Sequence, residues 1–124
     1  MSFVDRSLLE NLGSFDRAQA DASSFGVVKL DGEGKVLLYN RWESELAGVP
    51  VEQAEGKNFF REVAPCTNNR LVFGRFKKGV EQRELDVEFK YTFTYKMKPT
   101  NVVIRLYHDP ASATNWVFVA KNAA

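Results

Sequence analysis

The chain has 124 residues, 44% of them hydrophobic, with a formal net charge of +1 and a single cysteine. That length suits one domain with a real core, the near-neutral charge supplies no basic face for nucleic acid or an anionic membrane, and one cysteine excludes an internal disulfide. The N-terminal MSFVDRSLLENLG carries acidic residues and no long apolar run, so a cytoplasmic protein in a reducing compartment is expected, without nucleic-acid or membrane partners.

Residues 1–24 show a weak helical pattern at Leu8, Leu9, Leu12 and Phe15, then the polar stretch DRAQADASS, and read as a loosely docked N-terminal cap on a core spanning 25–124. Residues 25–30 and 35–39 are short β-rich runs joined by Asp31-Gly32-Glu33-Gly34, whose glycines suit a tight hairpin turn. Asn40 opens a short helix to about Ala47, Pro50 starts another turn of helix, and Gly56 stops it. Val72, Phe73, Phe76 and Val80 share one face at helical spacing, which predicts an amphipathic helix over 70–82 despite Gly74 and Gly79. Strict alternation over 87–98 predicts a half-buried strand whose inner face carries Phe89, Tyr91, Phe93, Tyr95 and Met97. Residues 102–107 and 116–119 complete five strands, giving an α+β domain: one antiparallel sheet, short helices on one face and the N-terminal helical cap.

Taken alone, the residue types able to do chemistry have plain structural readings. Cys66 reads as a small buried hydrophobe, and Asn40-x-x-Glu43 spells a capping box in which the carboxylate serves the helix start. Tyr39 reads as a strand-end core residue, although its four-residue separation from Glu43 across a helix start suggests a shared target. The aromatic face from Phe89 to Met97 reads as sheet core, Arg75-Phe76-Lys77-Lys78 as a solvated helix face, and His108 as exposed. With one histidine and no Cys/His signature a cysteine-nucleophile enzyme is disfavoured, and neither a phosphate loop nor a metal-ligand cluster is present.

Several motifs nonetheless carry a specific likeness: LDGEG (30–34), YN (39–40), Glu43, GKNFF (56–60), VAPCT (63–67), YTFTYKM (91–97) and WVFV (116–119). On these the chain resembles the photoactive yellow protein (xanthopsin) family of bacterial blue-light receptors, within the PAS sensor superfamily, over nearly all its length and more weakly before about Phe25. The resemblance implies a p-coumaric acid (4-hydroxycinnamic acid) chromophore thioester-linked to Cys66, its phenolate oxygen held by Tyr39 and Glu43 and its thioester carbonyl by the Cys66 amide. It places Val28, Phe59, Phe60, Val63 and Phe93 in the pocket walls and Tyr95 and Met97 against the chromophore, the Met position being associated with thermal return. Ala64, Pro65 and Thr67 shape the loop. Ala47 and Val49 depart from the Thr and Arg of many relatives, removing a hydroxyl that would support Tyr39 and a cation that would cover the ring; a raised phenol pKa is the consequence expected.

The chemistry is consistent with these residues. A thiolate is a good acyl acceptor, and hydrogen bonds from Tyr39 and a protonated Glu43 would favour a phenolate whose ordinary pKa is about 10. If isomerisation then strips Glu43 of its proton, a buried unpaired carboxylate remains, costing several kcal/mol, and loosening of the N-terminal cap would relieve it. The expectation is a monomeric photoreceptor, not an enzyme, acting on a downstream signalling protein that the sequence does not name. The alternative is a PAS module that binds a small ligand reversibly, or a protein partner, without a covalent chromophore.

Overall fold

The computed structural model describes residues 3–94 and 98–122. Five strands, β1 (Gly26–Leu30), β2 (Val36–Tyr39), β3 (Asp86–Phe93), β4 (Thr100–Asp109) and β5 (Thr114–Lys121), form one antiparallel sheet in the order β2-β1-β5-β4-β3. The last strand in sequence thus lies in the middle, pairing Gly26 with Val119 on one side and Ile104 with Val119 on the other. Successive side chains of a strand face opposite ways, and both faces here are covered. Val28, Leu30, Ile104, Leu106, Val117 and Val119 enter the larger core, while Val27, Trp116 and Phe118 enter a smaller one on the opposite face.

Everything between β2 and β3 packs on the larger core's side. Helix α3 (Arg41–Ala47) follows β2 directly and ends at Gly48. Helix α4 (Val51–Ala54), with Pro50 at its start, leads to a π-helical turn over Phe59–Val63, a 3₁₀ turn over Pro65–Thr67 and a second π-helical turn over Arg70–Gly74. Helix α5 (Arg75–Gln82) completes the crossover. The helix predicted over 70–82 is therefore two pieces, because the Asn69 side chain accepts from Val72 N (3.0 Å) and its carbonyl takes the Gly74 amide (3.0 Å), widening the first turn. Its apolar face is as predicted, with Val72 and Phe76 buried. The hairpin between β1 and β2 turns at Gly34, whose φ of +94° few side chains tolerate.

The N-terminal segment differs from its expectation. It holds two short helices, α1 (Arg6–Glu10) and α2 (Arg17–Asp21), the second within the stretch read only as polar and started by a reciprocal capping box between Asp16 and Gln19. It is also well packed: Val4, Leu9, Leu12 and Ala20 are buried against Val27, Leu38, Trp116 and Phe118. Phe15 meets Trp116 edge-on at 6.0 Å, and Phe25 meets Phe118 at 6.2 Å. His108 is half-buried rather than exposed, with Nδ1 2.7 Å from Asn115 Oδ1.

Candidate functional site

The end of β2 and the start of α3 present Tyr39 and Glu43 to the same space. Asn40 organises this corner: its Oδ1 accepts from Val27 N (2.9 Å) and Glu43 N (3.1 Å), and its Nδ2 donates to Ala20 O (2.7 Å) and Phe25 O (3.0 Å). One fully buried side chain thereby joins the cap, β1 and the first turn of α3. The capping box predicted from Asn40-x-x-Glu43 is only half made. The Asn40 amide donates instead to Val27 O (3.1 Å), so the Glu43 carboxyl is free to turn inward.

It does so at a cost. Glu43 is 1% exposed, and among the described residues its Oε1 has no hydrogen-bond partner. Burial pushes its carboxyl up to about 8, so the group is predominantly protonated at neutral pH. The Tyr39 hydroxyl is raised well above the ordinary phenol range, first by burial and then by the neighbouring Glu43 charge. Both groups are held as neutral acids.

Cys66 comes to the same cavity from the segment between α4 and α5. Pro65–Thr67 form a 3₁₀ turn closed by Thr67, whose amide (2.9 Å) and hydroxyl (2.6 Å) both donate to Ala64 O. The Cys66 carbonyl accepts from the Tyr91 hydroxyl on β3 and from Asn69 Nδ2 (3.3 Å), and Asn69 Nδ2 also reaches the Tyr91 hydroxyl at 2.7 Å. The thiol is free and half-buried.

Tyr39, Glu43, Ala47, Val63, Ala64, Cys66 and Phe93 line one narrow cavity of about 10 Å³. Seven of the residues singled out in the sequence thus converge. That volume holds about one water, so an aryl acyl group anchored on Cys66 needs the walls to move outward. The donor set suits such a group: a thiol and two neutral acids on one cavity, one acid with a buried oxygen that has no partner among the described residues. Val28 and Phe59 lie in the adjoining core rather than on the cavity surface, and Val49 packs against that core with its carbonyl held by Ser44 Oγ at 2.7 Å. Pro65 and Thr67 shape the turn, and Tyr95 and Met97 lie outside the described residues.

Sequence reasoning missed three contributors. Asn69 and Tyr91 tie the Cys66 carbonyl, and Gly26 on β1 lies against the Glu43 carboxyl. Only Asn69 left a local signal, as a cap residue before the Leu71-Val72-Phe73 run. A larger surface groove of about 440 Å³, between the 31–34 turn and α5, is lined by Glu33, Arg61, Phe76 and Lys77 and lies apart from Cys66. Among the described residues no group of His, Cys, Asp and Glu could hold a metal, and no helix is long and apolar enough to cross a membrane.

Residues 14–116 match the family model described as PAS fold. The chain is 42% identical over 119 residues to a photoactive yellow protein of Halochromatium salexigens, covering 96% of this chain and 95% of that one. It is 39% identical over 104 residues to a photoactive yellow protein of Rhodothalassium salexigens, covering 84% and 83% respectively. Among solved structures, the photoactive yellow protein domain of the sensor histidine kinase Ppr from Rhodospirillum centenum superposes with a TM-score of 0.83 at 38% identity, covering 94% of this chain and all of that one.

Proposed function

Since this chain belongs to the photoactive yellow protein family of PAS-fold domains, we propose that it is a blue-light receptor, not an enzyme, carrying a p-coumaroyl group as a thioester on Cys66. The observation that carries this reading is the buried carboxyl of Glu43, whose Oε1 has no partner among the described residues, on a side chain that lines the same cavity as Tyr39 and Cys66. An acidic carboxyl buried without a partner is costly, and a hydrogen-bond acceptor brought to it by an acyl group would remove that cost.

When bound, that group supplies a double bond that light can isomerise, in conjugation with an ionisable phenol. The rest is done by this chain. Cys66 provides the acyl acceptor, and Tyr91 and Asn69 fix the backbone that carries it. Tyr39 and Glu43 supply two O–H donors for one anionic oxygen, and charge-assisted bonds of this kind are short and strong. Val63, Ala64 and Phe93 line the same cavity and exclude water from it, which strengthens the bonds further. Glu43 also holds a transferable proton. Once it is lost, the carboxylate sits buried beside the Asn40 hub that ties the cap to the sheet, and loosening of the cap admits water to it.

The receiver of the signal is a downstream signalling protein, the Rhodospirillum relative being a domain of a sensor histidine kinase. The test is acyl transfer in vitro. Folded apoprotein mixed with an activated p-coumarate thioester gains one coumaroyl mass and a visible band, and Cys66→Ala gains neither. No mass increase in the folded protein refutes the proposal and leaves the reversible PAS module.

A further inference from the structure

Side chains at alternate positions of β1 fill the larger core: Val28 and Leu30 lie there fully buried, and Gly26 occupies the same face one step earlier. A third apolar side chain would ordinarily continue this row. A Cβ built on Gly26 would instead overlap Glu43 Oε1 and stand 3.3 Å from its carboxyl carbon and 3.2 Å from Val119 Cβ. The carboxyl therefore occupies the volume that a side chain at 26 would claim.

We infer that Gly26 is a positioning residue, whose missing side chain lets the Glu43 carboxyl lie against β1 and fixes how far it reaches into the cavity beside Cys66. The backbone conformation does not demand glycine there, since only Gly34, Gly48 and Gly56 among the described glycines have positive φ. Space demands it. Helix α3 packs across β1, the Asn40 side chain fixes the amide of Glu43, and Val119 closes the far side, so any group added at 26 displaces the carboxyl from β1. The length of the side chain at 43 and the emptiness of position 26 are thus matched. The role given to the carboxyl, though not its placement, rests on the photoreceptor reading.

The test is a cycle in the apoprotein. Gly26→Ala is made in the natural background and with Glu43→Ala, and thermal midpoints are compared within each pair. The expected result is a loss of roughly 5 °C with Glu43 present and almost none with Glu43→Ala. The infrared C=O stretch of the protonated carboxyl, identified by its absence in Glu43→Gln, shifts in Gly26→Ala. Equal losses in both backgrounds, or an unmoved band, overturn the inference. If Gly26→Ala does not fold, folding of Gly26→Ala/Glu43→Ala supports it and failure of both overturns it. A coumaroylation arm separates the two claims: no adduct in the natural protein refutes the photoreceptor reading and leaves the apoprotein cycle standing.

Discussion

A buried carboxyl that must give up a proton makes stability depend on pH, and Glu43 fixes both sign and window. Its ordinary carboxyl value is 4.5 and burial raises it to about 8, so between these values the folded apoprotein binds a proton that the unfolded chain has released. Folding is then favoured by acid: there is no penalty below about 4.5, the penalty grows as pH rises toward 8, and it is constant above. Each pH unit within the window contributes at most about 1.4 kcal/mol, so raising pH from 5 to 7 costs about 3 kcal/mol, a large fraction of a small domain's stability. With a urea m-value of about 1.5 kcal/mol/M, the unfolding midpoint drops by roughly 2 M. Replacing Glu43 by Gln keeps the shape and removes the titration. Urea melts of both proteins at pH 5, 6, 7 and 8 give the difference curve, in which other titrating groups cancel. A falling difference is expected, and parallel profiles refute the buried, protonated carboxyl.

The other contacts make separate predictions. Asn40→Ala leaves Val27 N and Glu43 N without their acceptor and takes one donor each from Ala20 O and Phe25 O, and is expected to cost about 3 kcal/mol in denaturant melts and to speed amide exchange over residues 17–25. In the chromophore-loaded protein, Ala47→Thr places a hydroxyl on the cavity wall and is expected to lower the phenol pKa by about half a unit to one unit in a visible titration. An equal or higher value contradicts the account of Ala47 as a departure that weakens the phenolate. Illumination of the loaded protein speeds amide exchange over residues 3–24, whereas equal protection in dark and light removes the cap from the signalling step.

The parts of the fold legible in the sequence were those written as local patterns. The alternation entering β3 is visible because an edge strand is half-buried, and β3 covers Asp86–Phe93 of the alternating run. The continuous runs in β1 and β5 reflect burial on both faces, but the close packing of the cap on the second face is not legible, because Leu8, Leu9, Leu12 and Phe15 make only a weak helical signal. The π-helical turns were hidden: Asn58 and Asn69 dictate them through capping bonds that short-range spacing does not distinguish from ordinary helix starts. Within the site, Tyr39, Glu43 and Cys66 were recognisable only through family motifs. Spacing alone assigned Glu43 to the helix cap, and what overturns that is non-local, a Val27 carbonyl that takes the Asn40 amide and a side-chain-free Gly26 that receives the carboxyl. The use of an absent side chain can be seen only once its would-be neighbour is in place.

The central claim is that light acts on a group held between Cys66 and the Tyr39–Glu43 pair. Its most direct test is a blue flash given to the coumaroylated protein while visible absorbance is followed in time. Bleaching of the blue band followed by full recovery in the dark, with the band moved or weakened in Glu43→Gln, is the predicted result. A loaded protein whose band neither bleaches nor responds to Glu43→Gln would contradict the account.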